Sequence, residues 1–303
     1  MLISVLIIGA SGAFGRPLLH EFIHQISSFK TIAVLASNQQ KAESYAWAGG
    51  KGVKIVVGSF LDSKSYEGFT HVISVVGNPL LRLQPAMIEA AFASGVTHFY
   101  PSEWNSDISQ REIYSLRYFR DKQVTHSHLA AVAKTHPGFK YTIFITGIFT
   151  EWAVGELYGF DHEANKVLVY GRPDGRVGVT SIPDIARFTV SSLLLPFQAT
   201  TTSGSERTLR VQGSKSTFQG LVDALGAARG VKYAVQYLDP AEAKEREEQA
   251  RVEGDEEAEI MWSIRPLIAS GFGVADGEGR ELDNGLFDFR AETMEETFKR
   301  VYG

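Results

Sequence analysis

The sequence predicts an α/β fold, a doubly wound parallel sheet with a smaller C-terminal α+β lobe. Three observations predict it. An apolar run at residues 2–8 breaks into Gly9-Ala10-Ser11-Gly12-Ala13-Phe14-Gly15, and helical spacing follows from Arg16. Short apolar runs then alternate with helical stretches as far as residue 146, and strands separated by helices of that length form parallel sheets. Past Gly147 the rhythm changes to short strands and turn clusters.

The opening reads as strand, glycine-rich turn, helix. Leu18, Leu19, Phe22, Ile23 and Ile26 recur at helical spacing, and Pro17 stands in the first turn, where its missing N–H costs nothing. This is the start of a dinucleotide-binding βαβ unit. Gly9 permits the tight turn, Gly12 lets backbone approach a pyrophosphate, and Gly15 lets the helix sit close to the strand. Ser11, Ala13 and Phe14 complete the turn, and the helix N-terminus offers free N–H groups to phosphate oxygens. The spacing is G-x-x-G-x-x-G rather than G-x-G-x-x-G, so the pattern draws its meaning from the strand before it and the helix after it.

The remaining elements follow in order. Residues 31–36 read as the second strand, with a helical stretch near 39–48. Residues 53–58 read as the third strand and 69–76 as the fourth, which ends in Gly77-Asn78-Pro79. Residues 85–94 form a helix with Met87, Ile88, Ala91 and Phe92 on its apolar face, and 96–100 form a fifth strand stopped by Pro101. A long helix is expected over about 110–134, ended by Pro137-Gly138, and 141–146 form the sixth strand. In the last part, 166–170 and 176–180 read as strands of a hairpin around Gly171-Arg172-Pro173-Asp174-Gly175. A helix covers 183–195, a strand 208–211, and Ser214 or Ser216 caps the next helix. Residues 233–238 form another strand, and 239–259 a charged, solvated helix. The expected division is a nucleotide-binding domain at 1–150 and a substrate lobe at 151–303, with 181–212 returning to the first.

Composition bounds the function classes. The chain has 303 residues, a net charge of −5, 44% hydrophobic residues and 21% charged residues. These values suit a globular core and carry no basic nucleic-acid footprint. There is no cysteine, so disulfides, thiolate metal sites and a cysteine nucleophile are excluded. The apolar start lacks a basic leader, and no run approaches the roughly 18 apolar residues of a membrane span. A cytoplasmic protein that binds neither membrane nor nucleic acid is expected. No metal site is expected either, since His126 and His128 lack surrounding carboxylates.

Strand ends supply the candidate site. The end of the second strand meets the adenosine ribose in this architecture, and a carboxylate there marks NAD. Here Ala36-Ser37-Asn38-Gln39-Gln40-Lys41 carries none before Glu43. Ser37, Asn38 and Lys41 suit a 2′-phosphate, so NADP(H) is favoured with NAD(H) as the alternative; an ordinary helix cap at Asn38 is the competing reading. Val76, Gly77 and Asn78 close the fourth strand, where small residues leave space and Gly77 permits an unusual backbone angle. Ser102 and Glu103 follow the fifth, near the nicotinamide half. Tyr118 and Lys122 are four apart and share a face of the long helix, which invites comparison with a Tyr-x-x-x-Lys catalytic pair. Trp104, Phe149, Trp152 and Tyr158 are candidate walls of a substrate pocket, or ordinary core aromatics.

These residues together resemble the NmrA-like and isoflavone reductase-like proteins, atypical short-chain dehydrogenase/reductase relatives. The resemblance rests on Gly9 to Gly15, Val72-Ile73-Ser74-Val75-Val76-Gly77, Gln84 and Gly95-Val96-Thr97-His98-Phe99-Tyr100-Pro101-Ser102-Glu103-Trp104. It extends to Lys122, Tyr141-Thr142-Ile143-Phe144, Gly147-Ile148-Phe149 and Pro183-Asp184-Ile185-Ala186. It implies a Rossmann NADP domain with a small substrate lobe. It also implies hydride delivery from NADPH to a small, aromatic or secondary-metabolite carbonyl, imine or conjugated alkene. Lys122 falls at the family's active-site lysine, a general acid or base; Tyr118 has no counterpart among the reductases. Family members often carry arginine after the second strand, where this chain has Ala36-Ser37. A nicotinamide-sensing regulator without turnover and a redox-neutral isomerase or cyclase remain alternatives. A small-molecule substrate is the expected partner, with a homodimer or a regulatory protein left open.

Overall fold

A computed structural model describes residues 3–197 and 201–303, with side chains for all of these except 201–203 and 278. Met1 and Leu2 of the opening apolar run lie outside the described residues. The chain divides into two compact units. The first comprises Met1–Glu103, Asp121–Ile143 and Ala186–Leu209; the second comprises Trp104–Arg120, Phe144–Ile185 and Arg210–Gly303.

The main sheet contains β1 (Ser4–Ile8), β2 (Thr31–Ala36), β3 (Lys54–Val57), β4 (His71–Ser74), β5 (His98–Tyr100), β6 (Lys140–Ile145), β7 (Thr201–Ser203) and β8 (Glu206–Arg210). Its order is β7-β8-β6-β5-β4-β1-β2-β3, and a two-residue strand, Trp104–Asn105, also pairs with β6. Strands β1 to β6 pair in parallel, as the sequence predicts. Their order 3-2-1-4-5-6 is that of a Rossmann sheet, which binds ligands where the order reverses, here between β1 and β4. The buried patterns explain the parallel sheet: all five residues of β1 and five of six in β2 are buried.

Helices cover the faces. In α1 (Gly15–His24), Leu18, Leu19 and Phe22 are fully buried, each contributing roughly 1.5–3 kcal/mol of apolar burial. Helix α2 (Gln84–Ala93) buries Met87 and Ile88 in a cluster with Val72, Phe99 and Ile143. Helix α3 (Arg120–Thr135) adds Leu129 and Val132 to that cluster. Helix α4 is Ile182–Ser192.

The second unit contains two three-stranded sheets. One orders Ala234–Leu238, Lys166–Tyr170 and Phe160–Asp161; the other orders Ser214–Thr217, Arg176–Thr180 and Ile148–Phe149. Phe160, Val167, Val177, Phe218, Leu221 and Phe298 share its core. Among the described residues, no helix is long and apolar enough to cross a membrane.

Four expectations are corrected. The long helix at 110–134 is three pieces: Arg111–Tyr114, a 3-10 turn at Arg117–Phe119, and α3. Leu116 is extended, and the Tyr118 N–H donates to Ser263 Oγ at 3.0 Å instead of to a helix carbonyl. Tyr118 and Lys122 therefore do not share one helix. The hairpin around 171–175 does not form, because its flanking strands belong to different sheets. Arg172 N–H donates instead to the Ala269 carbonyl, and Gly171 and Gly175 pack against that residue. The helix cap is Thr217, not Ser214 or Ser216: the strand runs on through those serines, and Thr217 Oγ1 accepts from Gly220 N–H at 3.1 Å. The charged helix at 239–259 is two, Pro240–Glu253 and Glu256–Ile264, parted at Gly254, where φ is 75°.

The tightest backbone approach gives a stability prediction. A β-carbon on Gly15 would lie 2.2 Å from the Gly9 carbonyl oxygen, whereas one on Gly138 would meet nothing within 4 Å. Thermal or urea unfolding should show Gly15→Ala destabilised by about 2 kcal/mol through overpacking. Gly138→Ala should stay within about 1 kcal/mol of the parent. Equal midpoints for the two variants would refute this account of the turn.

Candidate functional site

The glycine turn joins β1 to α1. Gly9 has φ 87°, and a β-carbon there would sit 2.7 Å from the Val75 carbonyl oxygen of the neighbouring strand end. Gly15 is sealed by the Gly9 carbonyl. Gly12 differs: a β-carbon would meet only that carbonyl, at 3.3 Å. Ser11, Gly12 and Ala13 are exposed, whereas Phe14 and Gly15 are buried. Gly9 and Gly15 thus shape the turn, and Gly12 leaves its outer face clear. Helix α1 has no side-chain N-cap and no acidic residue in its first turn, so its leading amides suit an anion. This cradle fits a dinucleotide pyrophosphate.

At the end of β2, Ala36 is buried and Ser37, Asn38 and Lys41 are exposed. Asn38 Oδ1 accepts from Lys41 N–H at 2.8 Å and caps the helix Gln39–Glu43. The cap reading of Asn38 is therefore realised.

Beyond β4, Val76 is buried, and Gly77 and Asn78 are exposed. Gly77 has φ −82° and ψ 175°, an extended conformation open to any residue, so the expected unusual angle is absent. Its contribution is space, since a β-carbon would meet only Pro79 Cδ, at 3.9 Å. Ser102 Oγ donates to the Val76 carbonyl at 2.8 Å, and Ser102 N–H donates to Gln84 Oε1 at 2.9 Å. Gln84 Nε2 lies 3.5 Å from Thr125 Oγ1, which donates to the Asp121 carbonyl at 2.8 Å. This chain ties the ends of β4 and β5 to α2 and α3, so it fixes the helix that carries Lys122.

Lys122 heads the buried stripe Lys122, Thr125, Leu129, Val132 of α3 and is only 8% exposed. Burial pulls its ammonium down to about 8, against the opposing charge of Glu103. Glu103 is buried, and among the described residues its Oε2 has no hydrogen-bond partner. His126, one turn along α3, lies 3.6 Å from Glu103 Oε1 and 3.7 Å from Glu206 Oε2. These are ion-pair separations rather than short hydrogen bonds. Burial opposes charge on His126, but the two carboxylates outweigh it and raise it to about 10. His126 holds Glu206 down to about 2, against burial, with help from the Tyr141 hydroxyl, which donates to Glu206 at 2.8 Å. Gln84, Thr125, Tyr141 and Glu206 are missing from the sequence-derived site. His126 has a sequence signal in its four-residue spacing from Lys122, and Gln84 and Tyr141 stand in the stretches that carry the family resemblance, whereas Thr125 and Glu206 have none.

The other candidate residues belong to the second unit. Trp104 is buried and stacks on Phe144 with centroids 6.2 Å apart. Phe149 is buried and stacks at 4.5 Å on Trp152, which is 46% exposed. Tyr158 is buried, and burial with the nearby Tyr118 pushes its phenol well above the usual range. Tyr118 stands in the 3-10 turn with its ring edge against Phe119, centroids 5.0 Å apart.

The model of the NmrA-like family matches residues 3–246. The chain belongs to the NmrA-like family. A curated relative, "Oxidoreductase aprR" of Aspergillus flavus, is 25% identical over 246 residues, 80% of each chain. The structure of AtPrR2 with NADP+ and (+)pinoresinol has a TM-score of 0.75 at 19% identity, covering 100% of this chain and 99% of that one. A Vitis vinifera leucoanthocyanidin reductase–NADPH complex has a TM-score of 0.75 at 17% identity, covering 99% of each. These structural likenesses span both the sheet and the C-terminal part of this member of the family.

The His126–Glu206 pair predicts a pH signature. His126 is raised from 6.5 to about 10, so its contribution is full below 6.5 and is lost as pH rises through about 10. Glu206 is lowered from 4.5 to about 2, so its contribution is present above 4.5 and is lost as pH falls through about 2. Unfolding of the parent and Glu206→Gln across pH should show a stability gap of about 1–3 kcal/mol, widest between these limits. A gap that does not change with pH would show that the pair is not ionic.

Proposed function

We propose that this NmrA-like chain is an NADPH-dependent reductase of a small aromatic or secondary-metabolite substrate bearing a carbonyl, imine or conjugated alkene, with Lys122 as general acid. The observation that carries the reading is Lys122 itself: buried, lowered to about 8, facing Glu103, and fixed beside the strand ends that follow the glycine turn. A lysine so placed is a proton donor near neutral pH. The curated relative's description as an oxidoreductase and the NADP+ and NADPH in related structures support the class.

In this reading, 1–150 with 181–212 forms the nucleotide domain, and the remainder of 151–303 is the substrate lobe. The amides of Ser11 and Ala13 and the start of α1 hold the pyrophosphate. Gly12, whose N–H donates to the Gly9 carbonyl, leaves room for it, and Phe14 and Gly15 fix the turn. Ser37, Asn38 and Lys41 take the adenosine end, and Val76, Gly77, Asn78, Ser102 and Glu103 border the nicotinamide end. NADPH supplies the hydride when bound. Lys122 polarises the acceptor or protonates the product anion, and Glu103 stabilises its charged form. His126 and Glu206 hold Glu103 in place. Trp104, Phe149, Trp152 and Tyr158 offer apolar surface for an aromatic substrate. The reaction takes place in the cytoplasm.

The test begins with separate titrations of NADPH and NADH, followed by a screen of carbonyls, imines and conjugated alkenes. A preference of about tenfold for NADPH, about 1.4 kcal/mol, is expected. Turnover should fall on the alkaline side with a midpoint near 8, where Lys122 loses its proton. Lys122→Ala should abolish turnover while leaving NADPH affinity within about threefold, about 0.65 kcal/mol. A fully active Lys122→Ala protein would eliminate the proton role. Binding with no NADPH oxidation would favour a sensor, and product without net NADPH consumption an isomerase or cyclase.

A further inference from the structure

The parallel strands of the first unit begin at the edge opposite the glycine turn, and a cavity of about 240 Å³ lies there. His71 opens β4, His98 opens β5 and Lys140 opens β6, and all three line it together with Phe197 and Arg207 of β8. At roughly 3.3 Å per residue, the length of β4 alone keeps this cavity about 10 Å from the nucleotide cradle. Among the described residues, four basic side chains line it and no carboxylate does.

Arg207 is 1% exposed. Its Nε donates to Thr142 Oγ1 at 3.1 Å, and its Nη2 donates to the Tyr100 hydroxyl at 2.7 Å and the Ser192 carbonyl at 3.0 Å. Every one of these acceptors is neutral. The guanidinium carbon also lies 5.4 Å from the Phe197 ring, and Lys140 Nζ lies 4.6 Å from the same ring centroid. Among the described residues, neither cation has a carboxylate partner, and residues 195–205 contain no Asp or Glu. The imidazoles of His71 and His98 stand 4.9 Å apart. Burial, with Arg207 and Lys140 alongside, holds His71 down to about 4 and His98 well below its usual range. Both rings are therefore neutral at physiological pH. Cation–π contact offsets only part of the cost of burying the Arg207 charge, and half-buried Lys140 brings a second like charge to the same ring. The hydrogen bonds of Arg207 tie β5, β6 and α4 to β8, whereas Lys140 takes no part in them and lines the cavity beside the guanidinium.

We infer that this cavity binds a compact phosphate-class dianion, either inorganic phosphate or the phosphoryl group of a small metabolite. Two cations, one fixed by Arg207's hydrogen bonds and one on the half-buried Lys140, match a dianion. With Nε and Nη2 committed, Arg207 has only Nη1 to offer and cannot form the two-nitrogen fork that suits a carboxylate. A tetrahedral oxyanion accepts single donors from several walls instead. The volume holds a phosphate with a short ester group but not a dinucleotide.

Calorimetry on the full chain at constant ionic strength, in chloride, tests this. Inorganic phosphate and glycerol 3-phosphate are titrated with and without saturating NADPH, with acetate as the carboxylate control. Saturable phosphate binding that persists with NADPH, and that Lys140→Gln weakens about tenfold, is expected. Leu195→Trp, which fills the cavity without removing a charge, should also abolish it, and both variants should keep the parent's circular dichroism. Tighter binding of glycerol 3-phosphate assigns a metabolite, and tighter binding of inorganic phosphate assigns the free ion. No binding, displacement by NADPH, preference for acetate, or unchanged binding in folded Lys140→Gln would each overturn the inference.

Discussion

The carbonyl oxygen of Gly9 occupies the place where a β-carbon on Gly15 would stand. The arrangement of the first unit follows from that contact. It brings α1 down onto the end of β1, so Leu18, Leu19 and Phe22 are buried from its first turns. It also frees the outer face of Gly12, because the chain turns within six residues and nothing else need cover it. Gly9 is pressed in turn against Val75, whose N–H donates to the Ile8 carbonyl at 2.8 Å. The ends of β1 and β4 are thereby aligned where the strand order reverses, the place at which sheets of this order bind ligands.

A second constraint is polar. Val76, Ser102, Gln84 and Thr125 link two strand ends and two helices, and Lys122 stands one turn before Thr125. A buried lysine costs stability unless its charge is met. Glu103 offsets part of that cost, and His126 stands between that carboxylate and Glu206. The arrangement spends polar groups in a place where apolar packing would be more stable, as sites of chemistry do.

The sequence made the sheet legible because its signals are local. A six-residue apolar run gives β2, and three glycines at fixed spacing give the turn and the helix start. The burial of Lys122 has a counterpart in the sequence only through the family resemblance, since Tyr118, four residues before it, lies in a separate 3-10 turn. What escaped depends on distant partners. The helix expected over 110–134 breaks where the Tyr118 N–H finds Ser263, 145 residues away. The hairpin at 171–175 yields to Ala269, and Gly77 has an ordinary angle that only the fold reveals. Glu206 lies 80 residues from His126 and Arg207 lies 107 residues from Tyr100; no spacing rule joins them.

That last distance has a temporal side. The first unit is drawn from three separate stretches, and β8 lies at the end of the third. A ribosome that has just finished β6 has made Lys122, His126, Tyr100 and Lys140, but neither Glu206 nor Arg207. At about 5–20 residues per second, the nascent sheet waits roughly 3–12 seconds for the strand that carries both. During that interval the β6 edge is bare, and the buried lysine's helix lacks its outer carboxylate. The chain therefore acquires its sheet edge, its ion pair and its buried guanidinium in one late event of synthesis.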